Sequence, residues 1–228
     1  MPNVADILAN WQQSLCPRVE VAGLVARSPV AHKWKAPFRS LVLRETIFWR
    51  THDLLSQSYE LHVTQHSLGA RILLRSAFET VATLVHLNQI TAQVLEGTMG
   101  FHFFADKTVR LLLGSRDKST KHEVINILTV LKHCEKTYPG IEGLYAALSE
   151  SAHPNFEGMC FGYSRVDDEN HVSEFSNNMC AMYEDKLVSA IQLCMAVFEH
   201  EYNNEWPRLF GRLETWIISN DQFLESTK

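Results

Sequence analysis

The 228-residue sequence contains no apolar run of the roughly 18 residues that a membrane-spanning helix needs. Its opening stretch, MPNVADILANWQQ, has neither a basic n-region nor a long apolar segment, so no secretory leader is expected. Cysteine is scarce and scattered: Cys16, Cys134, Cys160, Cys180 and Cys194 form no CxxC pair. An odd, widely spaced set reads as reduced thiols of a cytoplasmic protein, neither a disulfide frame nor a zinc site. GxxxxGK followed by Ser or Thr, GxGxxG, GxSxG and HExxH are all missing. Their absence removes the commonest NTPase, dinucleotide, hydrolase and zinc-protease readings, and no cofactor is expected. Internal repeats and low-complexity tracts are lacking too.

Hydrophobic residues make up 46% and charged residues 21% of the chain, enough apolar material for a real core and not the balance of a disordered chain. The net charge of −5 is unevenly spread. Residues 1–136 carry 16 Lys or Arg against 11 Asp or Glu, and residues 137–228 carry 5 against 15. That asymmetry suits a basic surface on an acidic protein, self-association of opposite faces, or ordinary solvated helix faces.

Periodicity predicts an all-α bundle of about six to seven helices with one small β-hairpin before the penultimate long helix. Asn3 is placed to cap a helix over 4–15, and 16–36, with Pro17, Gly23 and Pro29, reads as a loop or arm. Residues 1–36 are thus an N-terminal helix and arm, and 37–228 the bundle domain. A helix starts at Pro37, and a second, over 64–89, is apolar around well over half its circumference, which puts it at the centre. Its Ser76, Thr80 and Thr83 strip invites close approach of a neighbour. Further helices are expected over 92–113 (interrupted near Gly97 and Gly100), 121–136, 141–153 and 177–203, with an amphipathic segment after Pro207. Residues 159–176, with a polar turn at Asp167–Asn170, read as the hairpin.

Several polar residues stand in apolar places. Arg75, Glu79 and His86 share a narrow sector of the second long helix at 100° per residue. An Arg and a Glu at i, i+4 bond each other, either as a guanidinium preorganised for an anion or as an ion pair that fixes helix register. Tyr145, Ser149 and His153 form a second line at i, i+4, i+8. His153 falls at a helix C-terminus, before Pro154 and Asn155, where an imidazole serves as general acid or base or as a cap. Glu45, His52, His62 and His66 are a weaker metal-ligand set, because His62 and His66 straddle a helix boundary. Lys107, Arg110, Arg116, Lys118 and Lys121 are a basic stretch diluted by Asp106 and Asp117.

The pairing of ARILLRSAFETVATLVHL (70–87) with LYAALSESAHPN (144–155) resembles a loosely defined group of bacterial helical proteins. Their LLRSxxE helix is followed about seventy residues later by a YxxLSxxxHP helix end. That group is similar to the HEPN superfamily of helical bundles, many of them metal-independent RNases of toxin, phage-defence and RNA-processing systems, often dimeric. The resemblance implies a homodimer, RNA as substrate, and a cognate antitoxin or partner protein. It implies catalytic roles for His153, Arg75 and Glu79, and substrate contacts from Tyr145, Ser149 and Asn155, with no metal. The sequence departs at one point: the nuclease motif sets an Arg four to six residues before the His, and Tyr145 through Ala152 contain none. Under this reading Arg75 takes that place in space. The alternative is a non-catalytic dimerisation or protein-interaction module whose polar residues form a structural network.

Overall fold

Helices begin where the sequence supplies caps. The computed structural model describes residues 3–228. Helix α1 spans Val4–Ser14, with the Asn3 side chain accepting from the Ala5 amide at 3.2 Å. The expected arm contains two short helices, α2 (Val21–Arg27) and α3 (Pro29–His32). Pro29 at the first turn of α3 donates no amide that needs a partner there, and Ser28 caps it. Pro29 thus opens one short helix and Gly23 lies inside the other, so neither residue excludes helix here.

Two long helices follow, α4 (Ala36–Val63) and α5 (Ser67–Leu95). Helix α5 is the bundle's axis. It is buried nearly all round, and α4, α6 (Phe101–Leu113), α7 (Ile127–Thr137), α8 (Ile141–Ala152), α9 (Met179–His200) and α10 (Trp206–Ser226) all pack on it. Its apolar majority, from Leu74 through Phe78, Leu84 and Val94, is the reason. The break between α5 and α6 occurs at Gly97, in a left-handed conformation, and Gly100, as the sequence suggests.

The N-terminal helices join the same core. Trp11 stacks its ring at 5.7 Å edge-on to Phe48 of α4 and at 4.8 Å to Phe198 of α9. Aromatic contacts of this kind add about 0.5–1.5 kcal/mol each beyond burial, so Trp11, with buried Val4 and Leu8, holds α1 on the core. Farther on, buried Glu214 of α10 ties down both α2 and α3, accepting from Arg27 Nε at 2.9 Å and pairing with His32 Nε2 at 3.1 Å.

Late in the chain the hairpin forms from β1 (Ser164–Asp167) and β2 (Val172–Phe175), paired antiparallel with Val166 opposite Ser173. Asp167 closes its turn by accepting from the Glu169 and Asn170 amides. The approach to the hairpin is not strand: Phe156–Phe161 is π-helical. A second π-helical segment, Glu201–Glu205, carries α9 into α10 without a loop. Among the described residues no helix is long and apolar enough to cross a membrane.

Candidate functional site

The α5–α8 contact brings three of the singled-out residues together. Tyr145 of α8 is buried, and its hydroxyl accepts from Arg75 Nη2 at 2.8 Å and donates to Glu79 Oε1 at 2.8 Å. Arg75 and Glu79 stand 3.5 Å apart, and the Arg75 guanidinium lies 5.0 Å from the Tyr145 ring centroid. The i, i+4 spacing creates the pair, and the phenol from the neighbouring helix bridges it. Both side chains keep about a quarter of their surface in solvent. Arg75 Nε and Ser149 Oγ are buried without a hydrogen-bond partner.

A second guanidinium, not singled out in the sequence, anchors the next turn. Arg71 donates from Nε to Ser151 Oγ at 2.7 Å and from Nη2 to the Ala147 carbonyl at 2.8 Å. Its charged plane lies 3.6 Å from the Tyr183 ring of α9. Tyr183 in turn donates to Glu157. Burial lowers the Arg71 pKa, opposed by Tyr183 and Glu157, while burial and then the Glu157 hydrogen bond push the Tyr183 phenol up to about 12. The guanidinium stays charged because it never approaches the pH range where arginine loses its proton. Its sequence signal was present, since Arg71 precedes Arg75 by one turn and sits between the buried Ala70 and Leu74.

His153 takes a different position. It is the C-cap of α8, in extended conformation before Pro154, and its ring is exposed. Eight residues past Tyr145, it lies about 12 Å farther along the helix direction. Among the described residues its ring makes no hydrogen bond or ion pair, and none links it to Arg75 or Glu79. Asn155 is spent on the following turn: Oδ1 accepts from the Gly158 amide at 2.9 Å and Nδ2 donates to Glu150. The turn is tight, since a Cβ on Gly158 would stand 2.1 Å from the His153 carbonyl oxygen.

His86 shares the angular sector of Arg75 but not their neighbourhood. It is about 10 Å along α5 from Glu79, buried, and stacked on His133 of α7 at 5.1 Å. Burial first, then His133 and Lys107, depress its pKa to about 4, so it is neutral at physiological pH.

The weaker set disperses. Glu45 is buried under Tyr202, whose hydroxyl donates to it at 2.9 and 3.0 Å, and pairs with Arg44. His52 Nε2 bonds the Leu8 carbonyl at 3.2 Å, and His66 Nδ1 bonds Thr64 Oγ1 at 3.1 Å. His62 lies in the last turn of α4 and His66 precedes α5, across the boundary expected from the sequence. Among the described residues no three His, Cys, Asp or Glu side chains gather as a metal would require.

The polar line is therefore an interhelical clamp, Arg75–Tyr145–Glu79 with Arg71–Ser151 beside it, ending at a separate, solvent-facing imidazole. Compared with known proteins, the chain matches no family model, no curated protein and no solved structure.

Proposed function

We propose that this chain is a HEPN-like, non-catalytic helical module of the cytoplasm that acts by binding a second copy of itself or a partner protein. One observation carries the reading. The facing atoms of Arg75 and Glu79 are engaged with the Tyr145 hydroxyl, so the groups assigned to phosphate chemistry serve α5–α8 packing. The imidazole lacks an orienting partner among the described residues, and general acid–base work needs its proton aimed at a reacting atom. Exposed Phe156, Phe161 and Phe175 near the hairpin supply apolar surface of the kind that protein contacts use.

A ribonuclease-like reading rests on a different observation, the buried and partnerless Arg75 Nε and Ser149 Oγ, which a substrate phosphate oxygen would satisfy once α5 and α8 part to admit it. His153 would then exchange protons with the 2′-hydroxyl or leaving oxygen, and Arg75, oriented by Glu79, would stabilise the developing charge. The two readings separate in one assay. Purified protein and its His153→Ala variant are incubated with mixed-sequence RNA in chelator, with helical circular dichroism as the folding control. The binding module leaves RNA intact in both samples. Cleavage by the parent protein that the variant loses at unchanged helicity would install the ribonuclease in its place.

A further inference from the structure

A cleft of about 320 Å³ opens on the other side of Glu79, between α4, α5, α6 and the segment leading to α7. Its walls divide by chemistry. Ile47, Leu111, Ile125 and Ile127 give a branched aliphatic face, and Arg50, Arg110 and Arg116 give a cationic one. Glu79 is the single carboxylate in the lining. The size falls at the lower end of ligand pockets, about 300–1,000 Å³, which are mostly apolar with a few convergent polar groups.

The three guanidiniums come from separate elements and are not consumed by the fold. Arg50 Nε donates to Thr80 Oγ1 at 3.2 Å and Arg110 Nε to the Glu123 carbonyl at 3.0 Å. Among the described residues their terminal nitrogens have no hydrogen-bond partner, and Arg116 makes no hydrogen bond or ion pair. The expected polar connector is built to hold Arg116 in place. Gly114 lets the chain cross itself, since a Cβ there would meet Val124 Cα at 2.6 Å and the Arg110 carbonyl at 2.3 Å. Ser115 and Glu123 bridge across the loop, Ser115 Oγ accepts from the Thr120 amide at 3.0 Å, and the Thr120 hydroxyl donates to the Leu113 carbonyl. An adjoining cavity of about 720 Å³ shares Arg116 and adds Lys118, Lys121 and His122.

We infer that this cleft binds a small soluble phosphomonoester with an aliphatic body. A dianionic head matches several unpaired guanidiniums bidentately, which a single carboxylate would use only in part. The alkyl body lies against the isoleucine and leucine wall, and Glu79, held by Tyr145, repels the head toward the arginines. This inference goes beyond the docking role above and does not need it.

Calorimetric titration with hexyl phosphate tests it, with hexanol and inorganic phosphate as partial ligands. Hexyl phosphate is expected to bind saturably and, at a hundredfold excess over Kd, to raise the melting temperature by about 5 °C. Arg116 is exposed, so Arg116→Ala leaves the fold intact and is expected to weaken binding about tenfold, more at low salt than at high. Binding as tight for inorganic phosphate or hexanol, or unchanged in Arg116→Ala, overturns the inference, as does no saturable heat with hexyl phosphate. Co-sedimentation with phosphatidylcholine vesicles containing phosphatidic acid distinguishes the source: no pelleting supports a soluble ligand. Pelleting that Arg116→Ala abolishes assigns the cleft to a lipid headgroup and overturns the soluble one.

Discussion

The Tyr145 hydroxyl serves two groups at once: it accepts from Arg75 and donates to Glu79, and so closes their side of the α5–α8 contact. Removing it strands a partly buried guanidinium and a carboxylate, while the phenyl ring keeps its packing. Tyr145→Phe is therefore expected to cost about 1–3 kcal/mol in urea unfolding, with an unchanged m value. A loss under about 0.3 kcal/mol would mean that water replaces the phenol without penalty and that the clamp is not structural. Legibility at this scale depends on distance along the chain. Arg75 with Glu79 was readable because the helical period alone makes them neighbours. Tyr145 was readable as a polar line on its own helix, but not as their bridge, since that contact spans 66 residues of chain. Arg71 escaped because a lone arginine on an apolar face is ordinarily one that extends to solvent, and its partners are a carbonyl and a hydroxyl on another helix. His153 was correctly placed at a helix end, where its proline neighbour fixes the geometry locally.

Helix α5 sets the behaviour of the elements around it, because six helices lean on it. One of these contacts makes the bundle sensitive to acid. His86 of α5 is buried against His133 of α7 with a pKa of about 4, against about 6.5 in an unfolded chain. Its folded pKa is the lower one, so the unfolded state binds the proton more readily. The stability it allows is complete above pH 6.5 and drains as the pH falls toward 4. Between pH 7 and pH 5 this amounts to about 2 kcal/mol. In His86→Gln, the unfolding free energies from urea titrations at the two pH values are expected to differ by about that much less than in the parent protein; an equal difference would mean that the imidazole is not kept neutral. At the same scale, element type was legible and element detail was not. The all-round apolarity of α5 announced its central place. By contrast the stretch from Met159 reads in sequence as the start of the hairpin, yet Gly158 lets the turn after α8 approach the His153 carbonyl, and Phe156–Phe161 winds into a π-helical segment. No local preference encodes that approach.

Across the whole molecule, the mostly α architecture with one hairpin follows from hydrophobic period and turn chemistry, which act locally. The guanidinium cleft does not, because its lining is drawn from α4, α5, α6 and a loop whose basic residues look diluted in sequence. Folding sorts them: Asp117 turns back to cap the Ser119 amide at 3.0 Å, leaving Arg116 with the two other arginines. The join at Glu201–Glu205 has a comparable reach. A π-helical segment accommodates residues that an α-helix of the same rise would not, so it acts as a rotational spacer between two rods. Upstream of it Ile191, Cys194 and Phe198 face inward, and downstream Leu209, Leu213 and Ile217 do. Deleting exposed Asn203 is expected to remove the residue that the segment absorbs, so that it relaxes into regular α-helix with Leu209, Leu213 and Ile217 still turned inward. Limited proteolysis should then leave the C-terminal segment as resistant as in the parent protein; its early release would show that the π-helical join does not absorb a single extra residue.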